Sequence, residues 1–268
     1  MVVSQLKREL EAAWKWRLNR GLIEVQGSLR VFHGSGDGTH ELKNISIDRF
    51  EEPSGSAHYW VTEWEASGKA APLEGIQEFL RERGATSAVA LLRPEKGVPS
   101  EPRVILGAPP DQKFTAREGR TLFKIRLIGA KHPGLFLDHY PLRRWLGASA
   151  RDLRVLNTFS YTGSLSIAAG LGGASHVTTL DLSQPTILWA EENWALNGLA
   201  PEKARFIYGD YFEWLPRLKR ENKKFDLAIL DPPSFSRSKN GTFSTSKDLR
   251  KLHALIFGVL EPESCVVK

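Results

Sequence analysis

Four segments in the second half of this 268-residue chain carry side chains suited to holding a ligand. The first is Asn157-Thr158-Phe159-Ser160-Tyr161-Thr162-Gly163-Ser164. Its small residues let the backbone pass close to a bound group, and a helix starting there would offer free N–H groups to a carboxylate. The second is Asp181, an acidic side chain able to accept both hydroxyls of a ribose. The third is Asp210 with Tyr211 and Phe212 behind it: a carboxylate accepts an adenine amino hydrogen while an aromatic face covers the ring. The fourth is Asp231-Pro232-Pro233-Ser234-Phe235, a turn stiffened by two prolines that would project Asp231 into a cleft. Asp also caps helices, and Gly and Ser also make ordinary turns, so each segment has a purely structural alternative.

The elements that must position these residues alternate in type. LRVLNTF (153–159), HVTTLDL (176–182), ARFIYGD (204–210) and FDLAILD (225–231) read as strands. Helices fit 164–171, 185–196, 212–218 and 247–260, and a fifth strand starts at Ser264. Such alternation specifies an α/β fold, a parallel sheet with helices on both faces. Ligands of such sheets bind outside the carboxyl ends of the strands, where all four segments fall. The glycine turn, Asp181 and Asp210 at three successive strand ends favour an adenosyl ligand over a coincidental turn and caps. No GxGxxG follows the first strand, so a dinucleotide's pyrophosphate is poorly served. A ligand with adenine, ribose and an amino-acid tail fits better, and S-adenosyl-L-methionine has those parts.

The first half reads differently. Residues 4–19 form an amphipathic helix through Leu6, Leu10, Ala13, Trp14 and Leu18, with Gly21 as its stop. HGSGDGT (33–39) reads as a loop without the Lys-Ser/Thr pair of a phosphate-binding P-loop. Strands fit Asn44–Phe50, His58–Trp64 and Ser87–Leu92, a helix fits Leu73–Arg83, and 114–127 forms a hairpin turning at Glu118-Gly119. This is a small α+β domain over 1–132, ahead of a second domain over 133–268. One cysteine, Cys265, excludes a disulfide framework and every multi-cysteine zinc site, so no metal is expected. No apolar run approaches a membrane span and no signal peptide opens the chain, which places the protein in the cytoplasm. Net charge is +6, with the excess in 101–150 and 201–268, a distribution that favours polyanions.

GLFLDHYPLRRWL (134–146), VLNTFSYTGSLSIAAGLGGA (155–174), TTLDLS (178–183), WAEENWALNGL (189–199) and DPPSFSRSK (231–239) resemble the class I S-adenosylmethionine-dependent methyltransferases of bacterial large-subunit rRNA, especially the guanine-N7 kind. RVFH (30–33) and NISIDRF (44–50) resemble the family's small N-terminal domain more faintly. The resemblance implies a Rossmann-like sheet of seven strands, against which this chain stops inside the fifth. It implies that Phe159, Tyr161, Thr162 and Gly163 line the methionine end of the cofactor, Asp181 holds the ribose, and Asp210 with Tyr211 the adenine. Asp138 would be a further cofactor contact, and Tyr140 stands where the family often has Arg. Asp231, Pro232, Pro233 and Phe235 would position the target base, with RNA, 23S rRNA in the closest case, as substrate. The basic residues Arg237, Lys239, Lys247, Arg250 and Lys251 follow closely and would border the cleft that a base enters.

Target chemistry separates the alternatives. Cytosine C5 needs a Cys thiolate attacking C6, and Cys265 sits at the start of a strand, where core burial is the commoner fate. Guanine N7 offers a lone pair, so in-line positioning suffices and no general base is required. Exocyclic-amine methylation usually places an aromatic directly after Pro-Pro, whereas Ser234 intervenes here. A non-catalytic RNA-binding protein on the same fold is the reading from a different class.

Overall fold

The computed structural model describes residues 2–38, 42–63, 72–92, 101–233, 235–238 and 241–267. Packing divides the chain into two compact units, Met1–Asp138 and His139–Lys268.

Unit one runs α1 (Val2–Leu18), α2 (Leu22–Gln26), β1 (Leu29–His33), α3 (Gly34–Asp37), β2 (Ile45–Glu51), β3 (Ala57–Glu63), α4 (Leu73–Glu82), β4 (Ser87–Leu92), β5 (Arg103–Gly107), β6 (Phe114–Glu118) and β7 (Thr121–Ile125). The strands form one sheet in the order β5-β4-β3-β2-β6-β7, with β1 also paired to β2. Only β3 and β4 run parallel among its described pairs. Leu6, Leu10 and Ala13 of α1 and Ile76, Phe79 and Leu80 of α4 pack in one cluster with Ile45, Ile47, Tyr59, Val61, Ala88 and Ala90. Those sheet residues alternate along their strands and so share one face, while Phe50, Trp60 and Val89 are buried on the other. Gly21, at φ +64°, ends the first helix by donating its N–H to the Leu18 carbonyl.

The expected loop at 33–39 holds instead the single turn α3, and Thr39 lies outside the described residues. Asp37 explains the turn: it accepts the His33 N–H and pairs with Arg17 at 2.7 Å, which fixes the turn to α1. Strands β1 and β5 and helix α2 have no counterpart in the sequence reading. Trp64, the expected end of β3, also lies outside the described residues.

A 3-10 turn, Leu137–His139, spans the boundary between the units, and unit two continues with α5 (Tyr140–Ser149), β8 (Arg154–Thr158), α6 (Ser164–Leu171), β9 (His176–Asp181), α7 (Gln184–Leu196), β10 (Ala204–Tyr208), α8 (Tyr211–Arg220) and β11 (Phe225–Leu230). The hairpin β12 (Phe235–Ser238) and β13 (Gly241–Ser244) follows, then α9 (Thr245–Phe257) and β14 (Leu260–Val267). All pairs in the main sheet are parallel, in the order β10-β9-β8-β11-β14. The order reverses between β8 and β11, which is the topological switch point where such sheets open to ligands.

Both faces of this sheet are covered. Val155, Val177, Leu227 and Ile229 pack with residues of α5, α6 and α7. Leu156, Leu180, Ala228 and Leu230 pack on the opposite side with α8 and α9. At the amino ends, Arg154 bonds Asp226 at 2.7 Å and Glu261 at 3.0 Å, linking β8, β11 and β14.

Two expectations need correction. The last helix ends at Phe257 and the fifth strand starts at Leu260, because Val259 and Leu260 already join the core. Cys265 is exposed, not buried: on β14 it alternates with Val266, which is the residue that packs toward the α8–α9 side.

Candidate cofactor and base site

The site is built on the loop that leaves β8. Phe159, Tyr161 and Gly163 have φ of +57°, +50° and +76°, so the chain folds tightly through the left-handed region at every second residue. For Phe and Tyr that conformation is uncommon and is kept only where surrounding contacts over-determine it. Those contacts are present. Ser160 N–H donates to the Leu180 carbonyl, Gly163 N–H to the Ser160 carbonyl, and Tyr161 N–H to Asp181 Oδ2 at 2.8 Å. Asn193 of α7 donates to the Thr162 carbonyl at 3.0 Å. A Cβ at Gly163 would sit 2.8 Å from the Ala190 Cβ, so packing against α7 also demands glycine there. Beneath the loop, Asn157 donates to Ser166 Oγ at 2.9 Å, and Thr179 donates to the same oxygen at 2.8 Å.

Asp181 ends β9 and is more than a helix cap. The cap position of α7 belongs to Ser183, while Asp181 Oδ1 accepts the Ser183 N–H at 2.9 Å and the Thr186 hydroxyl at 3.1 Å. Burial holds its carboxyl above the usual carboxylate range, against the pull of these hydrogen bonds. Burial, with the Asp181 charge nearby, also pushes the Tyr161 hydroxyl up to about 12, so Tyr161 is a neutral phenol at physiological pH.

Asp210 does act as the cap of α8, accepting the Phe212 N–H at 2.9 Å. Tyr211 is buried, its ring 3.9 Å from that of Phe159 and 5.8 Å from that of Phe243. Its aromatic surface therefore belongs to the core on the α8 side of the sheet, next to the loop.

Asp231 is exposed at the carboxyl end of β11, 3.6 Å from Nε2 of His139 at the start of α5. Pro232 is half-buried and Pro233 exposed. Phe235 and Arg237 belong to β12, while Ser234 and Lys239 lie outside the described residues. Lys247, Arg250 and Lys251 are exposed on α9, with the Lys251 ammonium 4.9 Å from the Phe212 ring centre. Asp138 is exposed and is the last residue of unit one.

Unit two thus brings Phe159, Tyr161, Thr162, Gly163 and Asp181 into one hydrogen-bonded assembly, with Asp210 and Tyr211 beside it. Sequence reading missed Thr186, Asn193 and His139. Asn193 left a signal, a polar residue on the inward face of α7, and His139 stands beside Asp138 in the quoted motif. The residues present fit S-adenosylmethionine on one direct observation: the buried Ser160 Oγ, inside the loop, has no hydrogen-bond partner among the described residues. A buried hydroxyl of that kind suits a polar ligand tail. Among the described residues no cluster of three or more His, Cys, Asp or Glu is placed to hold a metal.

A doubly wound parallel sheet with an acidic residue and a strained loop at its switch point defines a nucleoside-binding protein of Rossmann-like form. The comparisons make this specific. The sequence profile of S-adenosylmethionine-dependent methyltransferases matches residues 95–267, and the chain belongs to that family. A ribosomal RNA large subunit methyltransferase K/L of Shewanella sp. (strain W3-18-1) is 44% identical over 142 residues, 52% of this chain and 20% of that protein. The chain therefore spans about a fifth of the length of such curated relatives. A methyltransferase crystallised with SAH has the same fold at TM-score 0.84 and 23% identity, covering 98% of this chain and 66% of its own. The S-adenosylmethionine-dependent methyltransferase from Agrobacterium tumefaciens superposes at TM-score 0.65 and 25% identity, over 82% of this chain and 67% of its own. Class I methyltransferase architecture and S-adenosylmethionine as cofactor follow from membership. Among the described residues no helix is long and apolar enough to cross a membrane.

Proposed function

We propose that this chain transfers a methyl group from S-adenosylmethionine to RNA, and that its target atom is a guanine N7 of 23S rRNA. The observation that carries the reading is the hydrogen bond from Tyr161 N–H to Asp181 Oδ2, which sets the loop and the ribose acceptor as one unit at the switch point. In this reading Asp181 holds the ribose hydroxyls, the amino-terminal amides of α6 and Ser160 face the methionine end, and Asp210 faces the adenine. Phe159, Tyr161, Thr162 and Gly163 shape the pocket, and Tyr211 supports it by packing on Phe159. Bound S-adenosylmethionine supplies an electrophilic methyl group. Asp231, Pro232, Pro233 and Phe235 orient the base toward that group.

The similarity to large-subunit rRNA methyltransferases supports rRNA as the substrate, and Cys265 supports N7 over cytosine C5. Cys265 pairs in register with Leu227, four residues before Asp231. At roughly 3.3 Å per residue the thiol lies about 13 Å below the base site, beyond covalent reach. Guanine N7 needs only alignment, so no side chain has to remove a proton. The test is to incubate the chain with unmodified rRNA and labelled S-adenosylmethionine, digest to nucleosides and identify the product. 7-Methylguanosine supports the assignment. 5-Methylcytidine or a methylated exocyclic amine overturns the target atom, and binding without turnover favours a non-catalytic RNA-binding protein.

A further inference from the structure

We infer that the exposed face of α1 is a stacking platform for single-stranded RNA, a proposal that rests on RNA being this chain's substrate. The helix carries two tryptophans with opposite fates. Trp14 turns inward and meets Phe79 edge-on at 6.1 Å, serving the core of unit one. Trp16 stays 49% exposed, so packing gives no reason for it. Its ring is instead held by cations: the Arg20 guanidinium lies 4.1 Å from the ring centre and that of Arg17 5.5 Å. Arg17 is fixed in turn by Asp37 and by the carbonyls of Ala13 and Arg30.

The charge around Trp16 is mostly positive, with Asp37 offsetting Arg17. Arg8, Lys15 and Arg20 are exposed, whereas Glu9 and Glu11 are half-buried and Glu11 is paired with Arg83. Lys7 is neutralised by Glu78 and Glu82 of α4. An exposed aromatic ring held by two guanidinium groups, with further exposed cations on the same helix, is what sequence-tolerant recognition of single strands uses. The ring stacks a base and the cations meet phosphates. The complementary partner is an unpaired polyanion with aromatic bases, and no part of the methyl-transfer site is involved.

The test measures binding of a short fluorescein-labelled oligoadenylate to the full chain across a salt series, together with methyl transfer to rRNA and S-adenosylmethionine affinity. Trp16→Ala should weaken binding roughly 5- to 100-fold at fixed salt, the range for one lost base stack. It should leave the slope of log affinity against log salt unchanged, since no charge is removed. Trp16→Tyr should restore most of the loss. Lys15→Gln should instead reduce the slope by about 0.7, the value for one single-strand phosphate. S-adenosylmethionine affinity should be the same in all variants. Unchanged oligoadenylate affinity in Trp16→Ala, while the wild type still methylates rRNA, overturns the platform and leaves the proposed activity standing. If sedimentation shows that Trp16→Ala instead dissolves a dimer, the face belongs to a second copy of the chain and the inference fails. A wild type that neither binds nor methylates RNA removes the underlying reading, and the platform with it.

Discussion

At Asp181 the carboxylate is engaged by three protein donors before any ribose arrives, from Tyr161, Ser183 and Thr186. Asp181→Asn should therefore cost cofactor affinity about 1–3 kcal/mol, the scale for losing a charged acceptor, as read by calorimetry. Unchanged affinity in a folded variant would show that the ribose lies elsewhere. The direction of the Asp181 shift sets a pH dependence as well. Its carboxyl is held above the usual range by burial, so it protonates at higher pH than an ordinary Asp as the solution is acidified. Cofactor affinity should accordingly decline on the acid side earlier than an unperturbed carboxylate would dictate, and Asp181→Asn should remove that decline. At Cys265 the expectation is the reverse: Cys265→Ser should retain methyl transfer, because the exposed thiol is out of reach of the base. Complete loss of activity in a well-folded Cys265→Ser protein would point to covalent catalysis.

Among the elements, the β8–α6 loop shows most plainly what sequence can and cannot convey. Gly and Ser in 157–164 announced a tight turn, and the acidic strand ends announced the ligand side. The left-handed backbone at Phe159 and Tyr161 left no such mark, because only the tertiary hydrogen bonds from β9 and α7 make it tolerable. Gly163→Ala should destabilise unit two through the left-handed backbone alone by about 1–2 kcal/mol. The 2.8 Å approach to the Ala190 Cβ adds to that cost. A lowered thermal midpoint with S-adenosylmethionine absent would show that packing is the cause. The hairpin β12–β13 was illegible for a different reason: its strands are four residues each, too short for alternation to stand out. Helix α3 was hidden likewise, since one turn held by the Arg17–Asp37 pair carries no periodicity.

Over the whole molecule, alternating strand and helix patterns made unit two readable because each strand is a short run rich in apolar and β-branched residues between turn signals. Unit one was harder, since β1 and β5 are five residues each and both pairings carry a register shift that breaks the alternation. The basic excess is a property at this scale too. If RNA crosses α9, Lys247→Gln with Arg250→Gln should flatten the plot of log affinity against log salt by roughly 0.7–0.9 per charge. Lys251 is a poorer probe because its ammonium also rests over Phe212, so its loss would mix packing with charge. An unchanged slope in the double variant would place the RNA on another face.

The bond between Tyr161 N–H and Asp181 also bears on how fast spent donor can be exchanged for fresh. A loop that took its shape only around the ligand would have to unfold and refold in every cycle. Here the strained backbone is held from within the protein, through β9 and α7. Ordering entropy is thereby settled during folding rather than at each encounter. In the proposed reaction, product departure would then be governed by the contacts it breaks, and weakening those contacts, rather than loosening the loop, would speed the cycle.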